Sequence, residues 1–320
     1  MISFPTRRIG HANLFISELE PSLDFYMKIC GFEQTARESH VGAGFLSNGN
    51  TNHDIGIVVV RNHEISRHVL REKPGRGDAP GLNHFGWELA CEADLVGGYK
   101  RALDKGEELQ HIDMGTGRSV FVFDDDGVQH QFYSSQTRNW REVYTGGEVE
   151  LHANPPWDPL AQESSTEETY DLSTDIRRVE QAPLHPMRIT HNVMVSPGLE
   201  SSTRFYTDVA GLEVVREIEG GAGLYLAGSA ARHDLILLAA DDDLEPGLHH
   251  CAFEVWPDDD LDQAAADLEK LGVPVARTLE LPYKKSVFVE DPDGTRLEFY
   301  QHRGDPNPRH LTGLELADAV

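Results

Sequence analysis

An internal repeat constrains the fold of this chain more than any other feature of its 320 residues. The segment from His11 to Glu33 recurs without a gap 180 residues later, from His191 to Glu213. Two further blocks repeat at offsets of 166 and 167 residues: Asn83-His84 matches His249-His250, and Gln131-Phe132-Tyr133 matches Glu298-Phe299-Tyr300. A segment that recurs over this length builds one structure twice. Two copies of one module therefore make up most of the chain.

Hydrophobic periodicity predicts a strand, a helix and three strands, followed by a second set of the same kind, in each module. In the second module the predicted helices cover residues 200–210 and 258–271, and an aspartate can cap the start of the second helix. The predicted strands cover residues 188–195, 212–218, 223–227, 234–240, 249–255, 276–279, 286–289 and 296–300. The first module follows the same plan between residues 8 and 133. The chain is thus predicted to have an α+β fold.

The repeat and the composition divide the chain into four segments. An N-terminal module with a degenerate metal site is predicted for residues 1–137, and a C-terminal metal-binding module for residues 186–303. Between them, residues 138–185 form an acidic, proline-containing linker in which periodicity fades. Residues 304–320 form a polar tail that we expect to be loosely held.

An excess of acidic residues limits the partners of the chain. It has 54 acidic and 28 basic residues, a formal net charge of −26, so we expect neither nucleic acid nor an anionic membrane as a partner. No apolar stretch reaches the roughly 18 residues of a membrane-spanning helix, and the N-terminus lacks a secretory signal pattern. Cys30, Cys91 and Cys251 form no CxxC pair. We therefore expect a cytoplasmic protein.

Three residues of the second module are candidate metal ligands. His191, His250 and Glu298 fall in three different predicted strands. Two neutral imidazoles and one carboxylate on a single face can hold Fe(II) while leaving positions open for substrate and O₂. Side chains alternate along a strand, so only one of His249 and His250 can face a metal. The repeat selects His250, because its counterpart in the first module is a histidine.

The first module carries a weaker set at the matching positions, His11, His84 and Gln131. The amide of Gln131 is a neutral and poor ligand, whereas Glu298 offers a carboxylate. The sequence therefore predicts one working metal site and one degenerate copy.

With these motifs the chain resembles the vicinal oxygen chelate superfamily and, within it, the two-domain type I extradiol catechol dioxygenases. The resemblance covers about residues 6–135 and 186–303 and lies in Ile189-Thr190-His191, Phe205-Tyr206 with Gly211-Leu212, Arg232-His233-Asp234, Leu248 to Val255, and Asp291-Pro292-Asp293-Gly294 to Tyr300. It implies tandem βαβββ modules that form two open, cup-shaped barrels, with Fe(II), or alternatively Mn(II), in the C-terminal one. The implied reaction opens a small aromatic diol, a catechol, next to its hydroxyl pair and inserts both atoms of O₂. Because closed assemblies are common among soluble enzymes, we also expect a homo-oligomer.

The resemblance also points to two catalytic candidates outside the metal ligands. His233 stands in the Arg-His-Asp context of the active-site histidine of these dioxygenases, and a histidine with an unshifted pKa can take and return a proton at neutral pH. The family usually has a tyrosine where an ungapped match places Phe288. Tyr283 is a candidate for the missing hydroxyl.

Two other functions stay open from the sequence. One is an isomerase or lyase of the same superfamily, of the glyoxalase or epimerase kind. Such enzymes usually hold their metal with a fourth protein ligand, which is a carboxylate. The strand expected to supply it has only leucine and isoleucine at residues 235–238. The other is a non-enzymatic small-molecule binding protein, which needs no complete triad. The substituents of the catechol, the side of cleavage and the choice between iron and manganese are also left open.

Overall fold

The two modules each form one large mixed sheet. The computed structural model describes residues 2–60, 76–151, 157–161, 163–170, 174–306, 308 and 311–320. Within these residues sixteen strands make two eight-stranded sheets with the same order of strands. The α+β class and the tandem arrangement of repeated modules predicted from the sequence are confirmed.

The first sheet has the order β2-β3-β4-β1-β5-β8-β7-β6. Its strands are β1 (Arg8–Ile16), β2 (Gln34–Glu38), β3 (Ala43–Leu46), β4 (Ile55–Val59), β5 (Gly81–Glu88), β6 (Gln110–Asp113), β7 (Gly117–Phe123) and β8 (Gln129–Ser135). β1 pairs in parallel with β4, and β5 with β8, while the remaining neighbours are antiparallel.

The second sheet has the equivalent order β10-β11-β12-β9-β13-β16-β15-β14. Its strands are β9 (Pro186–Ser196), β10 (Glu213–Ile218), β11 (Gly223–Ala227), β12 (Leu235–Ala239), β13 (Gly247–Val255), β14 (Val275–Glu280), β15 (Lys284–Glu290) and β16 (Arg296–His302). These strands agree with the predicted ones to within two residues at each end, and β11 has the predicted bounds.

The helices of the repeated modules begin and end close to the predicted residues. The described α-helices are α1 (Leu19–Asp24), α2 (Glu92–Asp104), α3 (Leu199–Arg204), α4 (Leu261–Lys270) and α5 (Gly313–Ala319). α1 and α3 each continue as one wider turn, at Phe25–Ile29 and Phe205–Val209. The Asp260 side chain caps α4 by accepting from the backbone N–H groups of Asp262 and Gln263. None of the described helices is long and apolar enough to cross a membrane.

Buried carboxylates link the two modules in a reciprocal way. Asp54 of the first module accepts a hydrogen bond from the backbone N–H of Ile189 on β9, at 3.0 Å. Asp234 of the second module accepts one from the backbone N–H of Ile9 on β1, at 2.6 Å. Both aspartates are fully buried. Each module therefore fixes a central strand of the other.

The end of the tail, residues 316–320, is not loosely held, and for these residues that expectation is wrong. Residues Leu316 to Val320 are buried, and Leu316 and Val320 join an apolar cluster with Tyr225 and Leu238 of the second sheet. Asp318 forms ion pairs with Arg277 and Arg296. The sequence does not predict this packing, because a helix of seven residues is too short to give a clear periodic pattern of apolar residues. The boundaries of the four segments stay a prediction.

Candidate metal centre

Three adjacent strands bring the predicted ligands of the second module together. His191 lies on β9, His250 on β13 and Glu298 on β16, and β13 is paired with both of the other strands. Ala252 of β13 pairs with His191 on one side and with Glu298 on the other. Residues in register on neighbouring strands point to the same face at about 4.8 Å spacing. The sheet itself therefore sets the spacing of the triad.

The three ligand atoms converge, and the surrounding protein leaves them without hydrogen bonds. One atom from each residue lies within 4.8 Å of the other two, and His250 Nε2 is 3.3 Å from Glu298 Oε2. All three side chains are buried, and His191 Nε2, His250 Nε2 and Glu298 Oε2 have no hydrogen-bond partner among the described residues. Each such buried atom costs about 1–3 kcal/mol. A metal ion that takes nitrogen and oxygen ligands fits this set.

The protonation states of the triad also suit a metal. Burial lowers the pKa of His191 and of His250, so both imidazoles are neutral and keep a lone pair for coordination. Burial alone would raise the pKa of Glu298, but the charge of Lys284 and the nearby His250 imidazole lower it to about 2. At neutral pH the site thus offers two neutral imidazoles and one carboxylate, the forms that bind metals.

A hydroxyl relay orients the ring of His191. Thr190 Oγ1 lies 3.0 Å from His191 Nδ1, and it accepts a hydrogen bond from the Tyr300 hydroxyl at 3.0 Å. The Thr190 hydroxyl donates in turn to the Ala252 carbonyl, at 3.2 Å. These roles place the imidazole proton on Nδ1, which donates to Thr190 and leaves Nε2 free as a ligand.

Two residues that the sequence analysis did not assign hold the carboxylate of Glu298. Lys284 Nζ lies 2.7 Å from Glu298 Oε1, and the Ser286 hydroxyl donates to the same oxygen at 2.5 Å. Because Oε1 is engaged, Oε2 is the oxygen left facing His250. The alternation of Lys284, Ser286 and Phe288 along one face of β15 was the signal that could have identified them.

The candidate His233 lies against the triad. Its ring centroid is 4.6 Å from that of His191. The expectation of an unshifted pKa is wrong, because burial and the charge of Lys284 lower the pKa of His233 to about 4. At neutral pH the ring is therefore uncharged and able to accept a proton.

Phe288 and Tyr283 flank the triad on the side of β15. The Phe288 ring packs edge-on against His250, with centroids 5.4 Å apart, so an apolar ring stands beside the ligands. Tyr283 is buried, and its hydroxyl has no hydrogen-bond partner among the described residues. Burial and the charge of Glu298 raise the pKa of Tyr283 to about 12. Its hydroxyl is therefore protonated at neutral pH and can donate a hydrogen bond.

His249 takes no part in the triad because the strand bulges there. The pairing of β13 with β9 steps from Leu248 to His250, which leaves His249 as the extra residue. Its Nε2 lies 3.9 Å from the Asp318 carboxylate instead. The end of the tail reaches the same region, where Lys284 Nζ donates to the Val320 backbone carbonyl.

The first module repeats the arrangement without the orientation. His11, His84 and Gln131 again lie on three adjacent strands, but His11 Nε2 bonds to Gln131 Oε1 at 3.1 Å. The His11 ring lies in the space that a Cβ at Gly86 would fill, and Gly86 is the counterpart of Ala252. Gly10 stands in place of Thr190, so His11 Nδ1 has no hydrogen-bond partner in the described part of the chain.

The chain belongs to the Glyoxalase/Bleomycin resistance protein/Dioxygenase superfamily, whose family model matches residues 8–132 and 188–299. These two ranges lie within the two modules. They include every residue of the two His-rich sets, which are His11, His84 and Gln131 in the first module and His191, His250 and Glu298 in the second.

Individual relatives are distant. A protein named Catechol-2,3-dioxygenase from Bacillus subtilis is 25% identical over 228 residues, which are 71% of this chain and 73% of the relative. The structure of a 2,3-dioxygenase from Pseudomonas sp. KL28 matches with a TM-score of 0.66 at 18% identity, covering 98% of this chain and 97% of the other. A Mn(II)-bound glyoxalase from Novosphingobium aromaticivorans matches with a TM-score of 0.66 at 15% identity, covering 94% and 84%. At these identities the two structures establish the fold alone.

Replacing Thr190 by valine removes the relay hydroxyl while keeping the shape of the side chain. We expect the affinity for Mn(II) to fall by about 10- to 100-fold, because the ring of His191 loses the partner that fixes its tautomer. Titration of the protein with Mn(II), followed by electron paramagnetic resonance, measures the Kd. Thr190→Ser keeps the hydroxyl and should bind as the wild type does. An unchanged Kd in the folded valine variant would show that the relay does not orient a ligand.

Proposed function

We propose that this protein is an extradiol ring-cleaving dioxygenase that inserts both atoms of O₂ into a catechol-type substrate at a non-haem Fe(II) site. The observation that carries the proposal is the convergence of three buried ligand atoms, from His191, His250 and Glu298, that none of the described residues satisfies with a hydrogen bond. The description of the superfamily includes dioxygenases, and the Bacillus subtilis relative is named Catechol-2,3-dioxygenase. The proposed co-substrates are a small aromatic diol and O₂.

The donor set favours Fe(II), with Mn(II) as the alternative. Two imidazoles and one carboxylate on one face are typical of non-haem Fe(II) oxygenases, and no thiolate of the described chain joins the group. When bound, the ion would supply open positions where two vicinal hydroxyls and O₂ come together. Lys284 and Ser286 keep Glu298 ionised and turned toward His250.

Proton transfer is assigned to His233 and Tyr283. The neutral ring of His233 accepts the proton of a substrate hydroxyl and returns it as the ring-opened product forms. Tyr283 keeps its proton at neutral pH and offers a hydrogen bond to a substrate oxygen. Phe288 provides an apolar wall beside His250. The product retains all atoms of the catechol and of O₂, so no other reductant is needed.

An isomerase of the same superfamily is disfavoured by the fourth position of the site. The strand β12 carries leucine and isoleucine at residues 235–238 and ends in Ala239. In the described part of the chain, only His191, His250 and Glu298 form a group of potential metal ligands. A coordination set with open positions suits O₂ chemistry better than an isomerase that fills the site with a second carboxylate.

A ring-cleavage assay tests the proposal. After anaerobic loading with Fe(II), addition of a panel of small catechols in air should give a yellow ring-opened product and consume one O₂ per catechol. His250→Ala and Glu298→Gln should abolish both signals, because each removes a ligand. The control Glu290→Gln alters an exposed carboxylate of β15 and should leave the rate unchanged. Metal binding without product or O₂ uptake would contradict the dioxygenase and favour the isomerase.

His233→Gln separates proton transfer from metal binding. We expect kcat at pH 7 to fall by about 10²- to 10⁴-fold, because the variant lacks the proton acceptor. The Kd for the metal should stay within about threefold of wild type, since His233 is not a ligand. Steady-state kinetics together with metal titration measure both, and His40→Gln, at an exposed position, controls for the substitution. Loss of metal with unaltered kcat per bound ion would contradict the assignment.

A further inference from the structure

We propose that the cup of the first module is a second binding site, which takes a small uncharged ring bearing a hydroxyl group without a metal. The inference rests on the first module alone, so it is independent of the proposed dioxygenase activity. It concerns the cavity beside His11, His84 and Gln131, which we call the first cup.

The first cup encloses space of the size of one ring. Its cavity measures about 100 Å³, which is smaller than the apolar cavity of about 150 Å³ that can bind benzene, so the space limits a ligand to a single small ring. One side is formed by apolar side chains: Phe45, Ile57, Val58, Phe121 and Leu151. The half-buried Met114 and Thr116 also line the cavity, which places its opening beside β7.

In the second module the tail occupies part of the equivalent space. There Leu316 and Val320 pack against Tyr225 and Leu238. In the first module the chain that follows β8 contributes Tyr144 and Leu151 to the wall of the cavity, and the cavity stays open. The open first cup is therefore a specific difference between the two modules.

The polar side of the first cup is electrically neutral. None of the described residues that line it is an aspartate, glutamate, lysine or arginine. Burial lowers the pKa of His11 to about 4, and it lowers the pKa of His53 and of His84 well below the ordinary value. A charged ligand would lose its hydration without gaining a counter-charge from any lining residue. The cavity thus selects uncharged molecules.

A buried hydrogen-bond acceptor in the first cup calls for a ligand that carries a hydroxyl group. His84 is 7% exposed, and its Nδ1 lies 3.2 Å from the Asn83 side-chain oxygen, which accepts only if Nδ1 carries the proton. Nε2 is then a lone-pair acceptor, and it has no hydrogen-bond partner among the described residues. A ligand O–H that donates to Nε2 would satisfy it, while the ring of the ligand contacts Phe45 and Phe121. A phenol has this combination of groups.

Phenol is the probe, because a single hydroxyl cannot chelate a metal through a vicinal pair. We expect calorimetric titration of the full chain to show one saturable site with a Kd of about 1 mM or tighter, as the size of the probe allows. Binding should persist in His250→Ala, which disables the other module. Thr116→Trp, which fills the opening, should weaken binding at least tenfold, and Thr116→Ser should not.

A second variant tests the hydroxyl itself and guards against misfolding of the first. His84→Phe keeps a ring in place but removes the acceptor, so phenol should bind at least fivefold more weakly while toluene binds no more weakly than to the wild type. Thermal melting followed by circular dichroism checks that each variant is folded. Absence of saturable phenol binding by the wild type would overturn the proposal. So would phenol binding that is lost in His250→Ala and retained in both first-cup variants.

Discussion

Two buried aspartates hold in place the strands on which both His-rich sets depend. Asp54 binds the backbone of β9 two residues before His191, and Asp234 binds the backbone of β1 two residues before His11. Burial raises the pKa of both aspartates, that of Asp234 to about 7, and a hydrogen bond of ordinary strength contributes about 0.5–1.5 kcal/mol. These two bonds fix the position of the strands as well as contributing to stability. The first module therefore supports the candidate metal centre of the second, even though its own ligand set is incomplete.

The ligand sets of the two modules differ in their surroundings at three matched positions. Glu298 replaces Gln131 and supplies charge, while Ala252 replaces Gly86 and keeps the histidine ring off the strand. Thr190 replaces Gly10 and supplies the hydroxyl that orients His191. In the first module the His11 ring settles over Gly86 and bonds to Gln131. His11 and Gln131 are neutral and already hydrogen-bonded to each other, so they bind a cation weakly. The second module instead presents three ligand atoms that lack a hydrogen-bond partner among the described residues.

Much of the fold and the membership of the candidate site could be predicted from the sequence because the repeat compares the chain with itself. The repeat locates the strands, and it selects His250 over His249 without reference to the bulge in β13. Other features depend on contacts between distant residues. Lys284 on β15 contacts Glu298 on the neighbouring strand β16, and the hydrogen bond from Tyr300 to Thr190 joins residues 110 positions apart. The pKa of His233 depends on burial, and the tail binds through Asp318 and two distant arginines. Such terms have no local periodicity.

The most direct test of the account is the number of metal ions bound per chain. The full-length protein, loaded anaerobically with Fe(II) and freed of excess metal, can be analysed by inductively coupled plasma mass spectrometry beside Glu298→Gln. The account predicts one ion per chain in the wild type and close to none in the variant, because the first module lacks a carboxylate and an oriented His11. Two ions per chain, or one ion retained in Glu298→Gln, would contradict it.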